Sequence, residues 1–240
     1  MNVVELLVFA RCAGFVFRAP GFSHPSVPSS VRAGLALLFA SAVAPSLRGT
    51  THLPDAEVPL ACAIEFLLGS AIGMAAALVY DGAYAGGRAI DDYVGVKAIA
   101  PSLQIVAPSG FGRVWSLAYT GGFFLTGAYR VTVPAFVSSF ERIAPGATVD
   151  AHAWGAYATG WATTIVAVGA AVAAPAIGLA FAVQIALGAL SRAVPRFGSV
   201  TLVFPLAFSA ALIAVVLAAP STSWKSVVPV VPVPRASAVH

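Results

Sequence analysis

The sequence predicts an all-α, multi-helix integral membrane protein. Three observations carry that reading. Apolar residues make up 59% of the chain and charged residues only 9%, where an ordinary soluble domain is about a quarter charged. Mean hydropathy is +0.91, more apolar surface than one water-facing core of this size can hide. The apolar residues gather into six blocks separated by polar, proline-bearing connections, a pattern that suits helices shielded by lipid or by other helices.

The first block, Val3 to Phe17, is short and carries Arg11. It is no convincing signal peptide, because Glu5 stands where positive charge belongs and Arg11 interrupts the apolar run. It is therefore kept in the mature chain. Val31 to Leu47 follows, with Arg32 near its start. Val58 to Tyr80 carries Glu65, and Val114 to Phe140 carries Arg130. Ala151 to Ser191 and Phe197 to Ala219 hold no Asp, Glu, Lys or Arg. A helix needs about 20 apolar residues to cross the hydrocarbon core. By that measure the third, fourth and sixth blocks are long enough and the first two fall short. The fifth is too long for one crossing. Pro175 near its middle leaves two options, a long kinked helix or a helical hairpin.

The connections read as loops. Arg18 to Ser30 holds Pro20, Pro25 and Pro28, and Asp81 to Arg113 is the longest and most charged connection. Pro145-Gly146 marks a turn, and Pro195 centres a short basic one. The expected organisation is one helical membrane domain, residues 1–219. Within it an N-terminal portion covers residues 1–150 and a C-terminal helical portion covers residues 151–219. A Pro-rich tail, residues 220–240, follows it. The net charge is +4 and the isoelectric point about 9.4. The Lys and Arg residues are scattered between apolar runs, so they read as membrane topology and not as a nucleic-acid surface. Their bias favours odd-numbered connections on the cytoplasmic side and an outer N-terminus.

Catalytic patterns are missing from the sequence. His24, His52, His152 and His240 are isolated, with no second ligand at helical spacing. Cys12 and Cys62 form no CxxC pair and read as small core residues. No phosphate loop or nucleophile elbow occurs. The neighbouring acids Asp91 and Asp92 point about 100° apart on a helix, which disfavours a shared site. The expectation is a protein that is no enzyme and carries no cofactor and no metal.

Intramembrane charge is the stronger signal. Arg11, Glu65 and Arg130 lie inside apolar blocks, where an unpaired charge costs several kcal/mol or is driven to pair. A Glu65–Arg130 pair is the expectation drawn from their opposite sign in neighbouring long blocks. Gly69-x-x-x-Gly73 and Gly82-x-x-x-Gly86 are spaced for close helix approach, within the chain or against a partner.

These residues together resemble the export-apparatus family that contains FliR of the flagellar system and the SctT-type proteins of injectisomes. Ser26-Val27-Pro28-x-x-Val31-Arg32-x-Gly34-Leu35-Ala36, running on to Ala44-Pro45, is similar to that family's first connection and second helix. Glu65-Phe66-Leu67-Leu68-Gly69-x-x-x-Gly73 resembles its third helix. Ile90-Asp91-Asp92-x-x-Gly95 resembles the injectisome branch. Ala173-Ala174-Pro175, Gln184, Ser191-Arg192-x-x-Pro195 and Phe204-Pro205 resemble its C-terminal helices. The likeness is collinear over residues 4 to 219. Gln184 stands where injectisome members tend to have Glu and flagellar members Asn, so the branch stays open.

The resemblance implies a core subunit of the type III export gate, in the bacterial inner membrane at the basal body of the machine. FliP-type and FliQ-type subunits would join it to form the channel entrance, a FlhB-type switch protein would contact it, and exported unfolded proteins would pass. It also implies a plug between the third and fourth helices, here Gly95 to Gly110. In that segment Pro101 and Pro108 prevent a continuous helix. Ile99, Leu103, Ile105 and Val106 offer an apolar seal, and Gln104 a polar contact for a passing peptide. The alternative reading of the same residues is a polytopic ion-coupled secondary transporter with charge at mid-membrane.

Overall fold

The computed structural model describes residues 2–24, 27–47, 53–95, 110–125, 127–147, 150–194 and 200–218. Every regular element among the described residues is helical, which is the expected all-α class. The elements are α1 (Val3–Arg18), α2 (Ser29–Val43) with a 3-10 turn at Ala44–Ser46, α3 (Val58–Val94) and α4 (Gly110–Leu125). They continue as α5 (Tyr129–Val137), α6 (Ser139–Arg142), α7 (Ala151–Ala193) and α8 (Val200–Ala218).

Local chemistry sets several of these limits. At the start of α1 the Asn2 amide donates to Glu5 Oε2 at 3.0 Å, half of a capping box that satisfies a helix-end donor. Arg18 closes the same helix, where positive charge complements the helix dipole. Gly95 ends α3 at φ +81°, a left-handed conformation that glycine adopts freely.

Two expectations about segment limits change, and a third, left between two options, resolves to one of them. The charged connection from Asp81 is helical as far as Val94, because α3 runs on through it. Ala83, Ile90, Asp91 and Val94 are buried while Arg88 and Asp92 are exposed. This is an amphipathic helix, and its charged face gives it the look of a loop in the sequence. The fourth block is not one span. It divides into α4, α5 and α6, with Gly127 at φ +72° between the first two. The fifth block is a single 43-residue helix and not a hairpin, with Pro175 inside it. Proline removes one backbone hydrogen bond and can still be carried by a helix packed among apolar neighbours.

By length and composition, three helices among the described residues can cross a bilayer: Ser29–Ser46, Val58–Val94 and His152–Ala193. The count of about six hydrophobic segments is therefore not confirmed among the described residues. The second block, expected to be too short, qualifies through its 3-10 extension, and the fourth does not because it is broken.

The described residues fall into two compact units. Those within Met1–Leu78 and Thr120–Ala162 form one, and those within Val79–Tyr119 and Thr163–Ser226 form the other. The division passes through α3, α4 and α7. In the first unit the core joins Val8, Cys12, Phe15 and Val16 of α1 to Ala36, Ala40 and Val43 of α2. Ile72 of α3, Phe136 of α5 and Phe140 of α6 complete it. Phe15 stacks on Phe136 with centroids 4.1 Å apart. Each large side chain buried this way contributes about 1.5–3 kcal/mol.

In the second unit, later residues of α3 meet α7 and α4 where side chains are smallest. A Cβ built on Gly86 would lie 2.5 Å from the Gly169 carbonyl oxygen, and one on Gly87 would lie 2.3 Å from the Gly112 backbone. The rings of Phe111 and Phe208 lie 5.3 Å apart, joining α4 to α8. Large apolar side chains remain uncovered in both units. Leu38 of α2 is 62% exposed, Val166 of α7 70% and Leu217 of α8 71%. Water would penalise such faces, and an apolar surrounding removes the penalty.

Candidate functional site

Two carboxylates on α3 are fully buried, Glu65 in the first unit and Asp91 in the second. A buried carboxylate is costly unless it is bonded, so the partners of each show what it does.

Glu65 faces Arg11 of α1 in a two-pronged pair. Arg11 Nε donates to Glu65 Oε2, and Nη2 donates to Oε1 at 3.0 Å. The remaining contacts come from the chain after α5. Arg11 Nη1 donates to the carbonyl oxygens of Ser139 at 3.2 Å and Ile143 at 2.9 Å. The Gly146 amide donates to Glu65 Oε1 at 2.8 Å. The Arg11 guanidinium also lies 4.4 Å from the Phe140 ring centroid, within cation–π range. One buried network thus ties α1, α3 and residues 139–146 together. The planar guanidinium fork suits this task, because it satisfies a carboxylate and two carbonyls at once.

Glycine makes the pair reachable. A Cβ on Gly69 would lie 1.9 Å from the Arg11 carbonyl oxygen, and one on Gly14 would lie 2.1 Å from that of Phe66. The backbones of α1 and α3 therefore touch, one helical turn from each charge. Gly73 continues the contact, 2.8 Å from the Phe15 carbonyl oxygen on the same measure. The Gly69/Gly73 spacing serves packing within the chain.

The expected Glu65–Arg130 pair does not form. Arg130 is exposed, and its Nε donates to the hydroxyl of adjacent Tyr129 at 3.4 Å. The break between α4 and α5 ends the long helix that would have carried Arg130 past Glu65, and Arg11 takes the place. Gln184 on α7 is half-buried and accepts at Oε1 from the Tyr93 hydroxyl at 3.3 Å, within the second unit.

Asp91 works through the backbone. Its Oδ1 accepts from the Phe111 amide at 3.1 Å, in the first turn of α4. Its own carbonyl oxygen accepts from the Gly95 amide at 3.1 Å, the bond that closes the end of α3. Asp92, the next residue, is exposed. Of the proposed plug, Gly95 and Gly110 are described. Ile99, Pro101, Leu103, Gln104, Ile105, Val106 and Pro108 lie outside the described residues.

Sequence reasoning missed the roles of Arg11, Ser139, Ile143, Gly146 and Phe111. A signal for the first was available. Arg11 precedes Gly14 by one turn and Glu65 precedes Gly69 by one turn, which marks two helices able to meet beside their charges. The Ser139, Ile143, Gly146 and Phe111 contacts use backbone groups, which leave no mark in residue type. Among the described residues no cluster of His, Cys, Asp and Glu is arranged to hold a metal ion.

Comparison with known proteins agrees with the helical membrane character. The family described as bacterial export proteins, family 1, matches residues 3–226, nearly the whole chain. No individual curated protein matches it.

Proposed function

The chain belongs to this bacterial export family, the FliR/SctT family of type III export proteins, and we propose that it serves as a core subunit of the export gate. In this reading it sits in the bacterial inner membrane as a multi-pass protein. It assembles with FliP-type and FliQ-type subunits, meets a FlhB-type switch protein, and lines the entrance through which unfolded proteins leave. It has no reaction of its own to catalyse.

The observation that carries the reading is the family match across residues 3–226. Two features of the chain support it. Its helices keep large apolar residues uncovered, such as Leu38, Val166 and Leu217, which sister subunits and lipid would cover. The rival carrier reading needs a mid-membrane acid free to exchange protons. Glu65 is instead buried at 1% exposure, with both oxygens engaged by Arg11 and Gly146.

The gate segment runs from Gly95 to Gly110. An apolar constriction there would stop ions and yield to an extended peptide. Removing residues 98–108 from the co-assembled complex should make vesicles carrying it conduct ions. Vesicles as tight as those with the intact complex would end the plug assignment.

A further inference from the structure

We infer that the junction of α4 and α5 is a membrane-interface anchor that docks on anionic phospholipid, with its apolar side chains among the acyl chains and Arg130 at the phosphates. The inference needs the membrane setting of the chain and not the gate reading. The residues that carry it, Phe123 to Val137, lie in the first unit. The Gly127 amide donates to the Phe124 carbonyl oxygen at 3.2 Å, and the Ala128 amide to that of Phe123 at 3.0 Å. These bonds close the end of α4, and Gly127 at φ +72° turns the chain toward α5. Leu125 is left 90% exposed, more than any other large apolar side chain among the described residues. Phe124, Val131 and Val137 are exposed as well. Arg130 is exposed among them, on the same face of α5 as Val137, two turns away. Its guanidinium lies 5.9 Å from the Tyr129 ring centroid, and its Nε donates to the Tyr129 hydroxyl at 3.4 Å.

This mixture of groups selects the surroundings. Water penalises so many uncovered apolar side chains in one place. An apolar helix of a sister subunit would cover them, but it would also take Arg130 out of water without a counter-charge, which is costly. A crossing is not open to this segment either. Helix α5 has nine residues, about 14 Å of length, where the hydrocarbon core is about 30 Å thick. The headgroup layer meets both demands at once. Leu125, Phe124 and Val131 enter the upper acyl region, while the guanidinium reaches outward to phosphate. Phosphate oxygens suit the planar guanidinium fork, which binds them through paired N–H groups. The Tyr129 hydroxyl accepts from Arg130 and keeps its own O–H to donate to a phosphate oxygen. A leaflet with net negative charge attracts this cation more strongly than a zwitterionic one.

The test uses the co-assembled complex in vesicles of phosphatidylcholine and phosphatidylglycerol. Leu125→Cys carries a fluorophore, in a chain with Cys62→Ala; Cys12 is fully buried and stays unlabelled. Each lipid in turn is spin-labelled near its glycerol end, and quenching of the fluorophore reports which lipid sits beside position 125. Both lipids should quench. Phosphatidylglycerol should be preferred about fivefold, the factor that one basic residue gains near an anionic surface. Arg130→Gln should abolish the preference and leave the quenching, and Arg130→Lys, which keeps the charge, should retain most of the preference. Quenching by neither lipid means that a sister subunit covers the face, and it overturns the inference. Strong quenching by aqueous iodide in place of lipid overturns it too. A preference unchanged by Arg130→Gln places the charge away from the phosphates and has the same consequence. Should Arg130→Gln fail to assemble, salt added to the parent complex gives the same reading, because it screens an exposed charge. Loss of the preference then supports the inference, and its persistence overturns it.

Discussion

Helix α3 carries the same two devices twice, once in each compact unit. Up to Leu78 it holds the buried acid Glu65 and the glycines Gly69 and Gly73. From Val79 it holds the buried acid Asp91 and the glycines Gly82 and Gly86. The first acid meets a guanidinium and a backbone amide, and its glycines meet the backbone of α1. The second acid meets the backbone amide of Phe111, and Gly82 meets the Val168 side chain on α7. Similar residues on one helix therefore do different work. A charge pair in contact with three backbone groups locks its surroundings, because losing one partner strands the other in a dry interior. A carboxylate on helix-end amides fixes a terminus at a smaller energy.

The largest effect is expected at the locked pair. Arg11→Ala or Glu65→Ala should destabilise the protein by about 3–5 kcal/mol, the cost of leaving one buried charge alone. Unfolding in detergent and accumulation in the membrane both measure it. Arg130→Ala should change stability by no more than about 0.5 kcal/mol, as for an exposed position. Exchanging the pair, Arg11→Glu with Glu65→Arg, should not restore stability. The carbonyl oxygens of Ser139 and Ile143 would then face a carboxylate, and the Gly146 amide a guanidinium. Recovery by the exchange would mean that charge alone matters at Glu65, and the contrast with Asp91 would shrink.

The next effect separates the two glycine pairs. Gly69→Ala should cost about 1–3 kcal/mol, the usual range for forcing atoms into a packed contact. Its Cβ would strike the Arg11 carbonyl oxygen at 1.9 Å, and the two helices would have to separate beside the ion pair. Gly82→Ala should cost less, because its nearest neighbours, Val168 Cβ at 2.7 Å, Val168 Cγ1 at 2.9 Å and the Ile165 carbonyl oxygen at 3.0 Å, stand farther off than the 1.9 Å contact at position 69. Val168→Ala removes the Cγ1 contact and keeps the Cβ one, so it should recover only the smaller part of the loss at position 82. No side-chain truncation in α1 should recover the loss at position 69. Unfolding midpoints of the single and paired variants in one detergent test both statements, and equal costs with equal rescue would erase the distinction.

The contrast also explains what the sequence could and could not reveal. The apolar blocks announced helices and a membrane setting, since both follow from composition and length. The family was legible because its motifs fall in order over nearly the whole chain. Helix limits were less legible. Arg88 and Asp92 gave residues 81–94 the look of a loop, although Ala83, Ile90 and Val94 place an apolar face along the same stretch. The partner of Glu65 was mistaken because opposite sign names a class of partner and leaves the helix face open. Arg11 stands 54 positions away, and only the glycines beside both residues hinted that their helices touch. The hold of Asp91 on Phe111 uses an amide that every residue but proline carries, so nothing in the residue types disclosed it.

The smallest effect concerns the end of α3. Gly95 adopts φ +81°, and a Cβ there would meet no atom within 4 Å. Gly95→Ala therefore meets no clash, and its cost is the left-handed backbone alone, about 1–2 kcal/mol for a residue with a Cβ. Gly95→Asn should cost less, because Asn tolerates this conformation better than Ala. Both variants keep the amide that donates to the Asp91 carbonyl oxygen. The unfolding midpoint should thus fall in the order glycine, asparagine, alanine, by less than Gly69→Ala lowers it. A loss at position 95 as large as that at position 69 would mean that the end of α3 is packed as tightly as its crossing with α1. The second half of the helix would then be locked in the same manner as the first.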